Sequence, residues 1–139
     1  MTLPFNPSQG LIVICDFDGL KAPEMVKRRP SIVVSPRSRR STGLCTVIPC
    51  SATAPVPELA HHFQLGINPP LPQPYPEPNV WVKCDMIYTV SFARLNLPWY
   101  RAVDGSRQYI NQYVSEDDLL SIQRCMLTYL GFAEAARFL

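Results

Sequence analysis

Fifteen of the 139 residues are proline, against six glycines, and this ratio limits the fold more than any other feature of the chain. Proline lacks an amide hydrogen and clashes with the preceding helical turn, so long helices are excluded from most of the sequence and short extended segments joined by loops are expected. Eight prolines, at 55, 57, 69, 70, 72, 74, 76 and 78, fall between residues 54 and 80. The run PPLPQPYPEP predicts polyproline II or irregular loop, a rigid surface spacer inserted at about 54–80 in a single domain spanning 1–139. The chain is too short for a two-domain enzyme. With 47% hydrophobic and 17% charged residues it is too apolar for a disordered chain, and it lacks the run of roughly 18 apolar residues that a membrane helix needs. The expectation is a soluble protein with no membrane partner.

Three runs rich in β-branched residues, LIVICDF at 11–17, SIVVS at 31–35 and LCTVIP at 44–49, are bounded by Gly, Pro or Ser and predict strands. PRSRRSTG has the turn chemistry of a hairpin tip between the second and third. VWVKC at 80–84 and MIYTV at 86–90 resume strand character around Asp85. One helix is predicted from Ser115, an N-cap with Asp118 three residues on and Glu116 and Asp117 favouring the positive helix end. Leu119, Ile122, Met126 and Tyr129 then share one face that should close a sheet or barrel, and Gly131 stops the helix. FAEAARFL continues as a short helix or frays. The inventory predicts a mainly β or α+β domain, a small curled sheet or barrel with a C-terminal helix.

The net charge of +2 is small but uneven. Residues 1–50 carry seven cations (Lys21, Lys27, Arg28, Arg29, Arg37, Arg39 and Arg40) against Asp16, Asp18 and Glu24, a balance of +4, with six of the cations between 27 and 40. A local positive field follows. Five cysteines with no CxxC pair, and an N-terminus without the basic and long apolar regions of a signal peptide, point to the cytoplasm. Cys15, Cys45 and Cys84 read as small buried hydrophobes. His61 and His62 are adjacent and lack a cysteine at zinc spacing, so no metal site is expected. GxxxxGK, GxGxxG, GxSxG and HExxH are all absent, and no cofactor is implied.

Metal-free acid–base chemistry remains. Its candidate groups cluster at strand ends: Glu24, Arg28 and Arg29 before the second strand, Ser51 and Thr53 after the third, and Lys83 with Asp85 on the fifth. Lys83 and Asp85 are two residues apart, which in an extended strand puts both on one face. A carboxylate, several cations and a hydroxyl are the ingredients for attack of an RNA 2′-hydroxyl on its own phosphate. A base takes the hydroxyl proton, cations stabilise the phosphorane, and an acid protonates the departing 5′ oxygen. Arginine suits the phosphate because its planar fork donates two hydrogen bonds at once.

These segments resemble the MazF/PemK (Kid) toxin family, the ribonuclease halves of type II toxin–antitoxin modules. The resemblance runs through GLIVICDFDG, Glu24 followed by KRRPSIVVSP, TGLCTVIPCSAT, VKCDMIYTVSFARL and SEDDLLSIQRCMLTYLGF. It implies an SH3-like barrel with an appended helix, a homodimer, a cognate antitoxin, and cleavage of single-stranded RNA such as mRNA to a cyclic phosphate and a 5′-hydroxyl. Arg29 then matches the family arginine at the phosphate, Glu24 an acidic residue near it, and Ser51 the active-site threonine. Lys83 and Asp85 match an RCD motif whose arginine and aspartate are assigned acid and base roles. Ser51 keeps the hydroxyl, whereas Lys83 keeps the charge but loses the bidentate fork. Lys27, Arg28, Arg37, Arg39, Arg40 and Thr53 are the expected RNA contacts. Two rival readings use the same fold: a silent RNA-binding module that stacks bases on Tyr75, Trp81 or Trp99, and a protein-interaction domain.

Overall fold

The computed structural model describes residues 3, 5–37 and 42–139. Among these residues, nine strands and two α-helices follow one another as β1 (Ile12–Cys15), β2 (Arg29–Val33), β3 (Leu44–Ser51), β4 (His62–Gly66), β5 (Asn79–Lys83), β6 (Tyr88–Ser91), β7 (Leu95–Asn96), β8 (Trp99–Arg101), β9 (Arg107–Tyr109), α1 (Glu116–Tyr129) and α2 (Ala133–Ala136). All five expected strands are present, with ends displaced by at most two residues. The main sheet is antiparallel in the order β4-β5-β3-β2-β1-β7, and β6 also pairs with β3. β8 and β9 form a separate hairpin.

β3 holds this sheet together. Its first half, Leu44 to Val47, pairs with β6, its last two residues pair with β5, and β2 lies along its other edge. Side chains alternate between the two faces of a strand. Ile12, Ile32 and Ile48 face a cluster completed by Val82, Leu65 and Ile122 of the helix. Val13, Val33 and Val47 face a second cluster with Phe17, Val90 and Leu95. Strands buried on both faces read as unbroken apolar runs rather than alternating ones, which is why β1, β2 and β3 are conspicuous in the sequence.

The proline-rich segment departs from expectation. Its prolines fall at the ends, leaving residues 58–68 free of proline, and there Phe63, Leu65 and Ile67 alternate with polar residues. They form β4, with Phe63 opposite Val82 and Leu65 opposite Val80. Leu65, Ile67 and Leu71 are buried, so the segment is part of the core as well as a surface spacer.

Helix α1 begins as expected: the Ser115 hydroxyl accepts the Asp118 amide at 3.1 Å, and Glu116, Asp117 and Asp118 occupy the first turn. It ends in a Schellman motif. The Phe132 amide donates to the Leu127 carbonyl at 2.7 Å and the Gly131 amide to the Thr128 carbonyl at 3.2 Å. Gly131 takes φ +89°, the left-handed conformation that glycine adopts without a Cβ clash. Ile122 is fully buried, with Cys125 and Met126 packed beside it. Tyr129, expected on the core face, is instead exposed; at the last turn its ring meets His61 edge-on. The residues FAEAARFL do form the short α2.

Cys15, Cys45, Cys50 and Cys84 are free and buried. Loss of solvation pushes the Cys15 and Cys50 thiols up to about 12 and Cys45 to about 11, which leaves all three protonated and inert near neutrality.

Truncating the one helix side chain that seals the first cluster leaves a cavity under the sheet. Ile122→Ala is predicted to cost about 2–5 kcal/mol in urea unfolding at unchanged m-value. A loss below about 1 kcal/mol would show that α1 does not close the core.

Candidate functional site

The strand register decides which polar groups share a surface. Cross-strand partners project to the same face, and residues two apart on one strand do so as well. Ser31 pairs with Pro49, so Arg29 and Ser51, each two residues further on, share that face. Ser51 pairs with Trp81, Trp81 pairs with Gln64, and Lys83 pairs with His62. One face of β2-β3-β5-β4 therefore carries Arg29, Ser51, Trp81, Lys83, His62 and Gln64. Lys83 stands two residues, roughly 7 Å, along β5 from the row that holds Ser51 and Trp81.

Asp85 is not on a strand. β5 ends at Lys83, and the chain turns there, with the Met86 amide donating to the Lys83 carbonyl at 2.8 Å. The expected strand alternation thus does not place Asp85 beside Lys83. The turn instead brings its Oδ2 to 3.7 Å from Nε2 of His61, with 16% of the His61 and 33% of the Asp85 side chain exposed. The His61 and His62 rings lie 4.4 Å apart. Asp85 therefore stands in the turn beyond the Lys83 end of β5, beside the turn that carries His61 into β4.

Two side-chain atoms here are buried without a hydrogen-bond partner among the described residues: Nε of Arg29 and Oδ1 of Asp85. Buried polar groups are paired in the great majority of cases, and those left open are held ready at a cost in stability. Ser51 is buried and its hydroxyl accepts the Thr53 amide at 3.1 Å, which orients the oxygen at the strand end; Thr53 itself is exposed. Burial, and after it the neighbouring His61, pull the His62 imidazole below the ordinary histidine value.

The other expected residues are more dispersed. Glu24 is exposed, and its carboxylate turns back on its own loop to accept the Lys21 amide at 2.9 Å. Arg28 pairs with Asp16 at 3.1 Å. Lys27 and Arg37 are exposed, and Arg39 and Arg40 lie outside the described residues. Arg28 also lines a groove of about 650 Å³ between Pro72–Tyr75 and Asn96–Arg101. Trp99 stands in that wall with the Arg107 guanidinium 4.2 Å and the Arg101 guanidinium 5.7 Å from its ring centre. A smaller pocket of about 70 Å³ reaches Arg29, and Pro74 and Tyr75 line both. The hairpin cations and Tyr100 were not among the expected site residues, because β8 and β9 carry no apolar alternation to mark them.

His61, His62 and Asp85 each offer a ligand atom, all within 4.8 Å of one another, and are the one set among the described residues that could hold a metal ion. The sequence offered no third ligand for the two histidines; the fold supplies Asp85. However, Nδ1 of His62 accepts the Leu59 amide at 3.0 Å. That contact places the proton of the neutral ring on Nε2, so coordination through His62 requires the bond to be given up.

Residues 8–129 match the family described as PemK-like, MazF-like toxin of type II toxin-antitoxin system. The chain belongs to this family. An uncharacterized protein of Haemophilus influenzae is 28% identical over 134 residues, 88% of each chain. Among solved structures, an endoribonuclease from a mycobacterial species, in complex with its cognate antitoxin, is similar with a TM-score of 0.62 at 20% identity, over 90% of this chain and 95% of that one. MazF from Deinococcus radiodurans is similar with a TM-score of 0.62 at 20% identity, over 91% and 98%. Both likenesses bear out the expected fold class, the mainly β toxin fold with its C-terminal helix. No helix among the described residues is long and apolar enough to cross a membrane.

A buried carboxylate oxygen without a hydrogen-bond partner among the described residues has a stability signature. Asp85→Asn, which removes the charge at constant shape, is predicted to leave the urea midpoint unchanged or to raise stability by up to about 2 kcal/mol. A loss above about 1 kcal/mol would mark Asp85 as a structural residue.

Proposed function

We propose that this protein is the endoribonuclease toxin of a type II toxin–antitoxin pair, cutting single-stranded RNA such as mRNA in the cytoplasm without a metal ion. The observation that supports the reading is the shared face of Arg29, Ser51 and Lys83, in register on adjacent strands, with Asp85 in the turn that follows Lys83. The carboxylate of Asp85 takes the proton of a ribose 2′-hydroxyl, and the 2′ oxygen attacks the adjacent phosphorus. Arg29 and Lys83 neutralise the charge that builds on the phosphorane, and Ser51 with the Thr53 turn positions the phosphate. The P–O5′ bond breaks, leaving a 2′,3′-cyclic phosphate and a 5′-hydroxyl. No water is consumed, so one base, one acid and a cationic clamp suffice.

The groove beside Tyr75, Trp99 and Tyr100 supports binding of flanking nucleotides by stacking, with Arg28 and Arg101 at the backbone. Leu130, Phe132 and Phe138 are exposed large apolar residues at the C-terminal end, which supports pairing into a homodimer. The cationic face supports an antitoxin with an acidic covering segment.

The test is a gel of a defined single-stranded RNA with purified protein in EDTA. Wild type is predicted to cleave, and Asp85→Ala and Arg29→Ala to lose about 10²- to 10⁴-fold in rate while keeping their fold. Equal cleavage by wild type and both variants would discard the mechanism. Saturable, salt-sensitive binding with no products would favour the silent RNA-binding module. For the groove, Tyr100→Ala is predicted to weaken RNA binding by about 1–3 kcal/mol in a fluorescence titration. Unchanged binding would remove the groove from the RNA path.

A further inference from the structure

We infer that His61 is the general acid of the cleavage, donating the proton that the departing 5′ oxygen needs; this rests on the ribonuclease reading above. Four observations carry it. Nε2 of His61 lies 3.7 Å from Oδ2 of Asp85, a spacing of the same order as that of the two apical oxygens of a phosphorane. The pair can thus address the attacking and leaving oxygens side by side. The other carboxylate oxygen, Oδ1, is buried and has no hydrogen-bond partner among the described residues, and of the two imidazoles near this carboxylate His61 is the one that makes the ion-pair contact with it. The imidazole is fixed in place, with Tyr129 edge-on at 5.1 Å and the His62 ring at 4.4 Å. His61 also occupies the turn immediately before β4. There strand alternation does not fix its direction, and its ring sits between the His62 ring and Tyr129 of α1, beside Asp85.

Imidazole is the side chain whose proton exchange lies closest to neutrality, which suits a group that must give up and regain a proton in each turnover. Lys83 is left as a point charge on the phosphate, a role that does not require the planar fork of arginine. In the step itself, the 2′-hydroxyl proton passes to Asp85 and the 2′ oxygen bonds to phosphorus. The P–O5′ bond breaks with its electron pair going to O5′, and the Nε2 proton of imidazolium His61 goes to that oxygen. The proton on Asp85 then returns to His61 across the short gap, so the pair is reset without water or a co-reactant.

A substrate with sulfur in place of the bridging 5′ oxygen tests this, because a thiolate leaves without protonation. Wild type, His61→Ala, His61→Gln and Asp85→Ala are compared on the ordinary and the 5′-thio RNA. Both His61 variants are predicted to cleave ordinary RNA about 10²- to 10⁴-fold more slowly than wild type, and the thio substrate to within about tenfold of wild type. His61→Gln keeps the size and a hydrogen-bond donor but cannot transfer a proton, so it separates acid chemistry from packing. Asp85→Ala stays slow on both. His61 variants as fast as wild type on ordinary RNA, or equally slow on both RNAs, would overturn the assignment while leaving the nuclease in place. Wild-type protein that cuts neither RNA would overturn the ribonuclease reading, and the acid with it.

Discussion

β3 is the strand on which the structure depends. It pairs with β2 along one edge and with β6 and then β5 along the other, and its neighbouring residues Val47 and Ile48 are completely buried in opposite clusters. A slip of one residue would exchange those faces and carry Ser51 away from Arg29 and Trp81, so the hydrophobic pattern that fixes the core also fixes the polar surface. The positions of the candidate groups are consequences of packing several residues away. β2 brings Arg29 to this surface because Ser31 and Val33 are locked into register behind it, and β5 brings Lys83 because Val80 and Val82 are buried.

Where the strands end, control passes to turns. The β5–β6 turn sets Asp85, and the turn into β4 sets His61. These two groups meet only because β4 and β5 pair over their full lengths, Gly66 opposite Asn79 at one end and His62 opposite Lys83 at the other. Arg29 thus lies at the start of β2, and the carboxylate of Asp85 lies beside the His61 imidazole where β5 ends and β4 begins. The buried, unpartnered atoms of Arg29 and Asp85 break the rule of internal satisfaction that the other buried side-chain polar atoms of the described residues obey. Such local conflict is expected where a sequence serves a substrate rather than the fold alone.

The parts of the fold that were legible in the sequence are those with a single dominant driving force. β1, β2 and β3 showed as runs of Ile, Val and Cys because both their faces are buried, and α1 showed through its Ser115 cap, its Ile122–Met126 face and its Gly131 stop. β4 was obscured because prolines crowd both its flanks, although Phe63, Leu65 and Ile67 alternate within it. β8 and β9 were missed because WYR and RQY are largely exposed and held by cation–aromatic contact rather than by the core. Arg29, Ser51, Lys83 and Asp85 were identifiable as a set by type and order. The partnership of Asp85 with His61 was not, since the two are 24 positions apart and joined only through strand register. The reading of Lys83 and Asp85 as strand neighbours failed because the strand stops between them.

The central claim is that RNA lies across the Arg29–Ser51–Lys83 face with its phosphate near Asp85. The direct measurement is amide chemical-shift mapping with a single-stranded oligonucleotide whose 2′-deoxyriboses prevent cleavage. The account predicts the largest shifts at Arg29, Ser51, Trp81, Lys83, Asp85 and His61, with a second set at Tyr75 and Tyr100. Saturable binding that leaves those amides unmoved and perturbs only the exposed side of α1 or α2 would contradict it.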